Sequence, residues 1–266
     1  MFLPNWPNFR PKIFHKPLFF IIFVAMETHT KAVILHSVKY ADNKMVVDMF
    51  TESHGRVSFA VTVAKSSRGR MKKQLFQPLS ILEVVFDFRP SKALQRLTDV
   101  RMAQPLPLMM ADPYKLSVAL FVAEFLTYAT MSEQQNDTLF KYIVYSVEWL
   151  DNAQGSIANF HVVFMLRLAR FLGFSPNMDT WGRGAYFDLR EGVFSSTRPM
   201  HPDVVDPAEA EVIGTLMRLN YANMGHMSLS RAQRNRCLDL ILSYYRLHVA
   251  SFPDLKSLDI LRELFV

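Results

Sequence analysis

The spacing of apolar residues divides the chain into a strand-rich first part and a helical second part. In the first part, residues 32–38 form a β-branched run, and residues 56–63 alternate apolar and polar side chains with a period of two. The dipeptide His54-Gly55 precedes the alternating segment and is typical of a tight turn. We therefore expect residues 45–52 and 56–63 to form a β-hairpin.

Two further segments continue the strand pattern up to residue 105. Residues 79–88 alternate as a fourth strand, whereas the pattern of residues 94–102 fits either a fifth strand or a short helix. Four or five short strands suit a small barrel, and the OB-fold is the common barrel of this size that binds single-stranded nucleic acid. Phe59, in the third strand, is a candidate either for stacking on bases or for the barrel core.

After Pro105 the apolar residues recur with the period of an α-helix. Asp112-Pro113 and Asp206-Pro207 are helix starts, in which the acid caps the helix and Pro takes its first position. Helices are predicted at residues 113–131, 137–152, 157–172 and 207–219, from Ser228 or Ser230 to residue 250, and from Ser257 onward. The predicted fold is therefore α+β, with an N-terminal OB-fold β-barrel followed by an all-α domain. We divide the chain into an N-terminal extension (1–25), a nucleic-acid-binding barrel (26–108) and a helical, partner-binding domain (109–266).

Composition limits the class of protein. Half of the 266 residues are apolar and 20% are charged, which excludes a disordered chain. The single cysteine, Cys237, excludes an intramolecular disulfide and a multi-cysteine metal site, and it fits a reduced, cytoplasmic compartment. The sequence contains no P-loop, no H-E-x-x-H and no G-x-S-x-G motif, and its eight histidines lack metal-ligand spacing. We therefore predict no catalytic residues, no metal ligands and no enzyme activity.

The positive charge is concentrated in the first part of the chain. Residues 26–104 hold 13 Lys and Arg against 7 Asp and Glu, and no acid occurs between residues 53 and 82. Ser and Gly separate the cations in the connection after the third strand, and one more cation opens that strand. The predicted DNA-binding residues are Arg56, Lys65, Arg68, Arg70, Lys72 and Lys73. Such a loop can follow a phosphate backbone, and the alternative is a solvated loop that charge keeps soluble.

Two groups of arginines in the helical part are candidates for partner binding. They are Arg167, Arg170, Arg231, Arg234 and Arg236. The first two share a face of the third predicted helix. The other three lie in the first turns of the fifth, where cations oppose the helix dipole and do not stabilise it. They could hold an anion there, or pair with acids such as Glu209 and Glu211.

Motifs in both parts resemble the RecO family of recombination mediators. Those in the barrel are Phe50-Thr51-Glu52-x-His54-Gly55-Arg56 and Leu75-Phe76-Gln77-Pro78-Leu79. Those in the helical part are Phe171-Leu172-Gly173-Phe174-x-Pro176 and Tyr244-Tyr245-Arg246-x-His248. Their order and spacing extend the resemblance from about Lys31 to Phe265.

The resemblance implies an N-terminal OB-fold, a helical C-terminal domain and binding to single- and double-stranded DNA. It also implies annealing of complementary strands, partnership with RecR and contact with the acidic tail of single-strand-binding protein. We expect the helical domain to offer that tail an apolar groove edged by arginine. The resemblance implies that these interactions together help to load RecA onto DNA without ATP hydrolysis by the family member, which agrees with the missing P-loop.

The chain departs from the family in one segment. Many members carry a four-cysteine zinc knuckle directly after the Gly-Phe-x-Pro motif, but residues 177–194 contain no cysteine. We therefore expect no zinc cofactor. Four aromatic residues are candidates for a small apolar cluster in its place, namely Trp181, Tyr186, Phe187 and Phe194.

The first 25 residues precede the point, close to Met26, at which members of the family begin. Their apolar run, residues 18–25, is too short to span a bilayer. We interpret residues 1–25 as a mis-assigned start or dispensable extension, as a genuine extension or membrane-surface anchor, or as a signal peptide.

Two other functions stay open at this point. One is a general OB-fold nucleic-acid-binding protein that acts on RNA and dimerises through its helices. The other is a protein-interaction adaptor whose basic loop is only solvated.

Overall fold

Five strands close into a barrel in the first part of the computed structural model, which describes residues 27–64 and 71–265. The strands are β1 (Glu27–Ala41), β2 (Lys44–Thr51), β3 (Gly55–Thr62), β4 (Ile81–Asp87) and β5 (Leu94–Gln104). Around the barrel they follow the order β1-β2-β3-β5-β4, and β4 pairs with β1 to close it. This is an OB-like barrel, so the predicted fold is confirmed, and the segment that fitted either a strand or a helix is a strand.

The barrel closes because alternate side chains of its strands fill the interior. Val47, Phe59 and Phe86 are fully buried there, and the rings of Phe59 and Phe86 meet edge-on with 4.9 Å between their centroids. Phe59 therefore belongs to the core, and the alternative that it stacks on bases is wrong.

The predicted β2–β3 hairpin is confirmed. Asp48 faces Ser58 across it, and the hydroxyl of Thr51 donates to the carbonyl of Gly55 at 2.9 Å. Gly55 adopts a φ of 63°, and a β-carbon at this position would lie 2.3 Å from the backbone carbonyl of Gln134. Glycine is required here both by the left-handed backbone and by the close approach of the helical part.

The helical part begins directly after β5. Its helices are α1 (Pro107–Ala111), α2 (Pro113–Ala129), α3 (Asp137–Asn152), α4 (Phe160–Phe171), α5 (Pro207–Met217), α6 (Arg231–His248) and α7 (Leu258–Leu264). Between α4 and α5 lies a small sheet of three strands, β6 (Tyr186–Asp188), β7 (Val193–Ser195) and β8 (Val204–Val205), in the order β7-β6-β8. The sequence pattern predicted the longer helices and missed α1 and the small sheet.

Capping side chains define where two of these helices begin. The carboxylate of Asp112 accepts a 2.8 Å hydrogen bond from the backbone N–H of Tyr114 at the start of α2. Ser230 and Gln233 form a reciprocal capping box at the start of α6. Both starts are predicted from the sequence.

One hydrophobic cluster joins the barrel to the helices. Val33, Leu35, Phe50, Leu79 and Ile81 come from the barrel, yet they are buried in the same cluster as the core of α2 to α6. The other buried apolar side chains of the barrel form their own interior cluster. The barrel and the helices therefore share part of one core, and the division of the chain between residues 108 and 109 stays a prediction.

No helix within residues 27–64 and 71–265 is both long enough and apolar enough to cross a membrane.

Candidate nucleic-acid interface

The predicted DNA-binding residues divide into three groups in the structure. Lys65, Arg68 and Arg70 lie outside the described residues. Lys72 and Lys73 are described and exposed. Arg56 is described too, but it is mostly buried, with 13% of its side chain exposed. Arg56 therefore differs from Lys72 and Lys73 in its exposure to solvent.

Arg56 connects the barrel to the helical part. One guanidinium nitrogen lies 3.0 Å from the carboxylate of Asp48, which also accepts a hydrogen bond from the hydroxyl of Ser58. The other donates to the backbone carbonyl of Thr127 in α2. Because both ends of the guanidinium have partners within the protein, Arg56 has a structural role, and we leave it out of the candidate interface.

The cationic loop is residues 65–73, and a backbone hydrogen bond fixes its base on the barrel. The N–H of Ala64 donates to the carbonyl of Met71 at 2.8 Å, so the residue before the loop is held to Met71 near the loop's end. Met71 lies at the edge of an open groove of about 630 Å³ on the barrel. The base of the loop is thus fixed beside this groove.

Three exposed cations line the same groove. They are Arg89, Lys92 and Arg96, and one acid, Asp87, lies among them. Arg89 and Lys92 belong to the connection between β4 and β5, whereas Arg96 points outward from β5. Sequence analysis missed these cations, because their place in the same groove as Met71 depends on the closure of the barrel. The alternation of Leu94, Arg96 and Thr98 along the strand could have indicated that Arg96 points outward.

A buried glutamine fixes the connection between β4 and β5. The side-chain oxygen of Gln95 accepts from the N–H of Arg89 at 2.9 Å, and its NH₂ group donates to the carbonyls of Arg89 and Lys92 at 3.0 and 2.7 Å. Since Gln95 is only 4% exposed, these bonds are shielded from water. The backbone that carries Arg89 and Lys92 is therefore held in one conformation.

A second groove, of about 650 Å³, lies between α3, α4 and the segment after α5. Its apolar lining includes Tyr145, Phe171, Pro176, Met178, Met217 and Tyr221. Arg167 and Arg170 line it too. The guanidinium of Arg167 donates to the carbonyl of Leu219 at 3.1 Å, and Arg170 is exposed. The structure thus brings the first two candidate arginines together in a groove whose lining is both apolar and polar.

The other three candidate arginines have partners within the protein. Arg231 pairs with Glu263 and donates to the carbonyl of Arg262 in α7. Arg234 is 8% exposed, donates to the carbonyl of Leu229 and lies over the ring of Phe265. Arg236 binds both oxygens of Glu209 at 2.6 and 2.9 Å, as the alternative prediction of pairing expected. These contacts attach α6 to α5 and α7.

The segment that follows the Gly-Phe-x-Pro motif folds around aromatic side chains. Phe187 and Phe194 are buried with 4.8 Å between their ring centroids, and Trp181 packs against the same cluster. Tyr186 is half-buried and lies instead beneath the guanidinium of Arg198. Three of the four predicted aromatic residues thus belong to the cluster.

The residues of this segment do not fit a zinc ion. The described residues hold no group of three or more potential ligands among His, Cys, Asp and Glu. The carboxylate of Asp188 accepts from the N–H groups of Arg190 and Glu191 and lies 3.0 Å from His201. Burial raises the pKa of Asp188, but these hydrogen bonds outweigh it and hold the pKa below its ordinary value. A hydrogen-bonded carboxylate, together with apolar packing, stabilises the turn.

Comparison with known proteins gives matches along both parts of the chain. The family models for the N-terminal and C-terminal parts of recombination protein O match residues 26–106 and 110–259. The chain is 44% identical to the DNA repair protein RecO of Phocaeicola vulgatus and 45% identical to that of Bacteroides fragilis, over 89% of this chain and 98% of each relative. It is 31% identical to the DNA repair protein RecO of Flavobacterium psychrophilum, over 90% of this chain and all of the relative.

Proposed function

This chain belongs to the RecO family, and from that premise we propose that it is a DNA repair and recombination mediator that binds and anneals single-stranded DNA. One observation carries the proposal: the base of the cationic loop is fixed beside a groove lined by further exposed cations. The role is non-enzymatic, and the protein acts in the cytoplasm without a metal cofactor.

The phosphate backbone binds to the loop and groove together. Residues 65–73 contribute five cations, and Arg89, Lys92 and Arg96 extend the positive charge along the groove. The contacts are to phosphates and therefore do not depend on base sequence, so the same surface accepts single- and double-stranded DNA. When the same cations neutralise the phosphates of two strands, the repulsion between the strands decreases, which favours annealing.

The second groove binds the acidic tail of single-strand-binding protein. Its aromatic and methionine lining accommodates an apolar chain end, and Arg167 and Arg170 supply positive charge for the acidic residues. Together with RecR, this contact places the protein on coated DNA, where it helps to load RecA. RecR and RecA are proposed as partners only because the chain belongs to the RecO family.

Annealing of two complementary oligonucleotides tests the proposal. We compare the wild-type chain with a variant in which Lys65, Arg68, Arg70, Lys72 and Lys73 are all alanine. This variant should lose annealing and most of its affinity for DNA, while its circular dichroism spectrum and midpoint of unfolding stay those of the wild type.

A control variant removes three exposed positive charges from the helical part through Lys141→Ala, Arg183→Ala and Lys256→Ala. This variant should anneal like the wild type. Unchanged DNA affinity in the loop variant contradicts the proposal, and tighter binding to RNA than to DNA favours a general RNA-binding function. For the tail, Arg167→Ala with Arg170→Ala should weaken binding of an acidic peptide that ends in an apolar residue, and leave DNA affinity unchanged.

A further inference from the structure

The outer face of the barrel carries a continuous row of paired residues. Val38 of β1 faces Val46 of β2, Val46 faces Ala60 of β3, and Ala60 faces Arg96 of β5. Neighbouring strands lie about 4.8 Å apart, so the row spans roughly 14 Å. The residues on either side of Val46, Ala60 and Arg96 are buried, so these three side chains point outward, and Val38 is 46% exposed.

The central part of this face is shallow. Val46 and Ala60 form its middle row, and Thr62, which faces Lys44, lies one step further along the strands. All but Lys44 have short side chains, which leave room for flat groups to lie against the sheet. Taller side chains stand at the two edges, on β1 and on β5.

Tyr40 stands at the β1 edge and is unusually open for an aromatic residue. It lies near the end of β1, where the pairing with β2 shifts register between Lys39 and Ala41, and 58% of its surface is exposed. Phe50, Phe59, Phe76 and Phe86, by contrast, are buried in or against the barrel. Among the described barrel residues, Tyr40 is therefore the one large aromatic side chain that is exposed.

The charges around this face are complementary to a polyanion. Lys44 directly follows the turn after Tyr40, and Arg96 stands at the opposite edge. Two acids belong to the same surface. Asp42 lies in the turn, and Asp48 is already bound to Arg56 and Ser58. Exposed cations thus flank an exposed aromatic ring on a shallow, partly apolar face.

We propose that Tyr40 stacks on an unpaired base of single-stranded DNA and so gives the barrel a preference for single over double strands. The proposal rests on the proposed function, and it adds a base contact to the phosphate contacts of the loop and groove. Bases within a duplex stack on one another and cannot offer a free face to the ring. A base of a single strand can turn outward onto the phenol while its phosphates lie against Lys44 and Arg96.

Substitution of Tyr40 separates stacking from phosphate binding. Tyr40→Ala should weaken binding to a single-stranded dT 20-mer about 10-fold or more, as expected for the loss of one stacked base. Affinity for a duplex of the same length should change less than about 2-fold, and the salt dependence of both should be unchanged. Tyr40→Trp should retain binding, and dT 20-mer should quench the added fluorescence.

Tyr114→Ala is the matched control, because Tyr114 is similarly exposed (53%) but lies on α2. It should bind both DNAs like the wild type. If Tyr40→Ala leaves single-strand affinity unchanged, or weakens binding to both DNAs equally, the stacking proposal is overturned while DNA binding stands. If the wild-type chain binds neither DNA, the proposed function itself fails.

Discussion

The guanidinium of Arg56 lies 3.0 Å from the carboxylate of Asp48 on the outer face of the barrel. The pair is largely shielded from water, and the same guanidinium reaches the carbonyl of Thr127 in α2. Arg56 was predicted to bind DNA together with the cations of the loop. Its contacts instead attach the barrel to the helices.

Replacement of this arginine should affect stability and not DNA binding. Arg56→Ala leaves Asp48 and the Thr127 carbonyl without their partner, which should lower the free energy of unfolding by about 2–3 kcal/mol. Urea denaturation measures this loss, and anisotropy below the unfolding transition measures DNA affinity. A variant of normal stability with weakened DNA binding would place Arg56 in the interface after all.

Gly55 should tolerate no side chain. Gly55→Ala forces a β-carbon against the Gln134 carbonyl and places alanine at a positive φ. We expect a loss of about 3 kcal/mol in the free energy of unfolding. Thermal unfolding of this variant can be compared with that of Gly155→Ala, where a β-carbon meets no atom within 4 Å. Equal melting temperatures for the two variants would argue against the close approach at Gly55.

Gln95 should influence DNA binding without touching DNA. Gln95→Leu keeps the size of the side chain but removes three hydrogen bonds to the connection that carries Arg89 and Lys92. Amide hydrogen exchange at residues 89–92 should become faster. Affinity for single-stranded DNA should fall by a few-fold, which is less than the loss caused by removing both cations, because the charges stay present but become less ordered. Unaltered exchange at 89–92 would contradict this role.

His161 should make the fold sensitive to mild acid. It is 1% exposed, and burial, together with the charge of Arg234, lowers its pKa from 6.5 to about 3. The unfolded chain therefore binds a proton near pH 6.5 that the folded chain does not. The stabilisation is complete above pH 6.5 and is lost progressively as the pH falls toward 3.

Between pH 7 and pH 5 this group alone should cost about 2 kcal/mol of stability. Burial lowers the pKa of His54 too, which adds to the loss. Glu124 and Glu209, whose pKa values are lowered, contribute only below about pH 4.5. In His161→Leu the stability should depend less steeply on pH over this range, as urea denaturation at several pH values would show. Equal slopes in the variant and the wild type would count against the assignment.

Local patterns were enough to predict the barrel and the long helices. Alternation and the His54-Gly55 turn fixed the β2–β3 hairpin, and capping residues located the starts of α2 and α6. The strands β6 to β8 have two or three residues each, too few to show a period of two. Their position follows from the packing of Phe187 and Phe194.

The candidate site was predictable only in part, because charge alone does not reveal a partner. Once the hairpin register is known, Asp48 and Arg56 become diagonal neighbours on one face, so the pairing could have been anticipated. The position of Arg96 in the same groove as Met71, and of Arg234 over Phe265, depends on long-range closure. Such contacts leave no periodic signal in the sequence.

The salt dependence of single-strand binding tests most directly whether the cationic loop holds the phosphate backbone. Anisotropy of a labelled dT 20-mer is recorded over a salt series for the wild type, the five-alanine loop variant and the helical-part control. If about four loop cations meet phosphates, the slope of log affinity against log salt should become shallower by about 3 in the loop variant. It should stay at the wild-type value in the control. Equal slopes in the loop variant and the wild type would place the DNA-binding surface elsewhere on the protein.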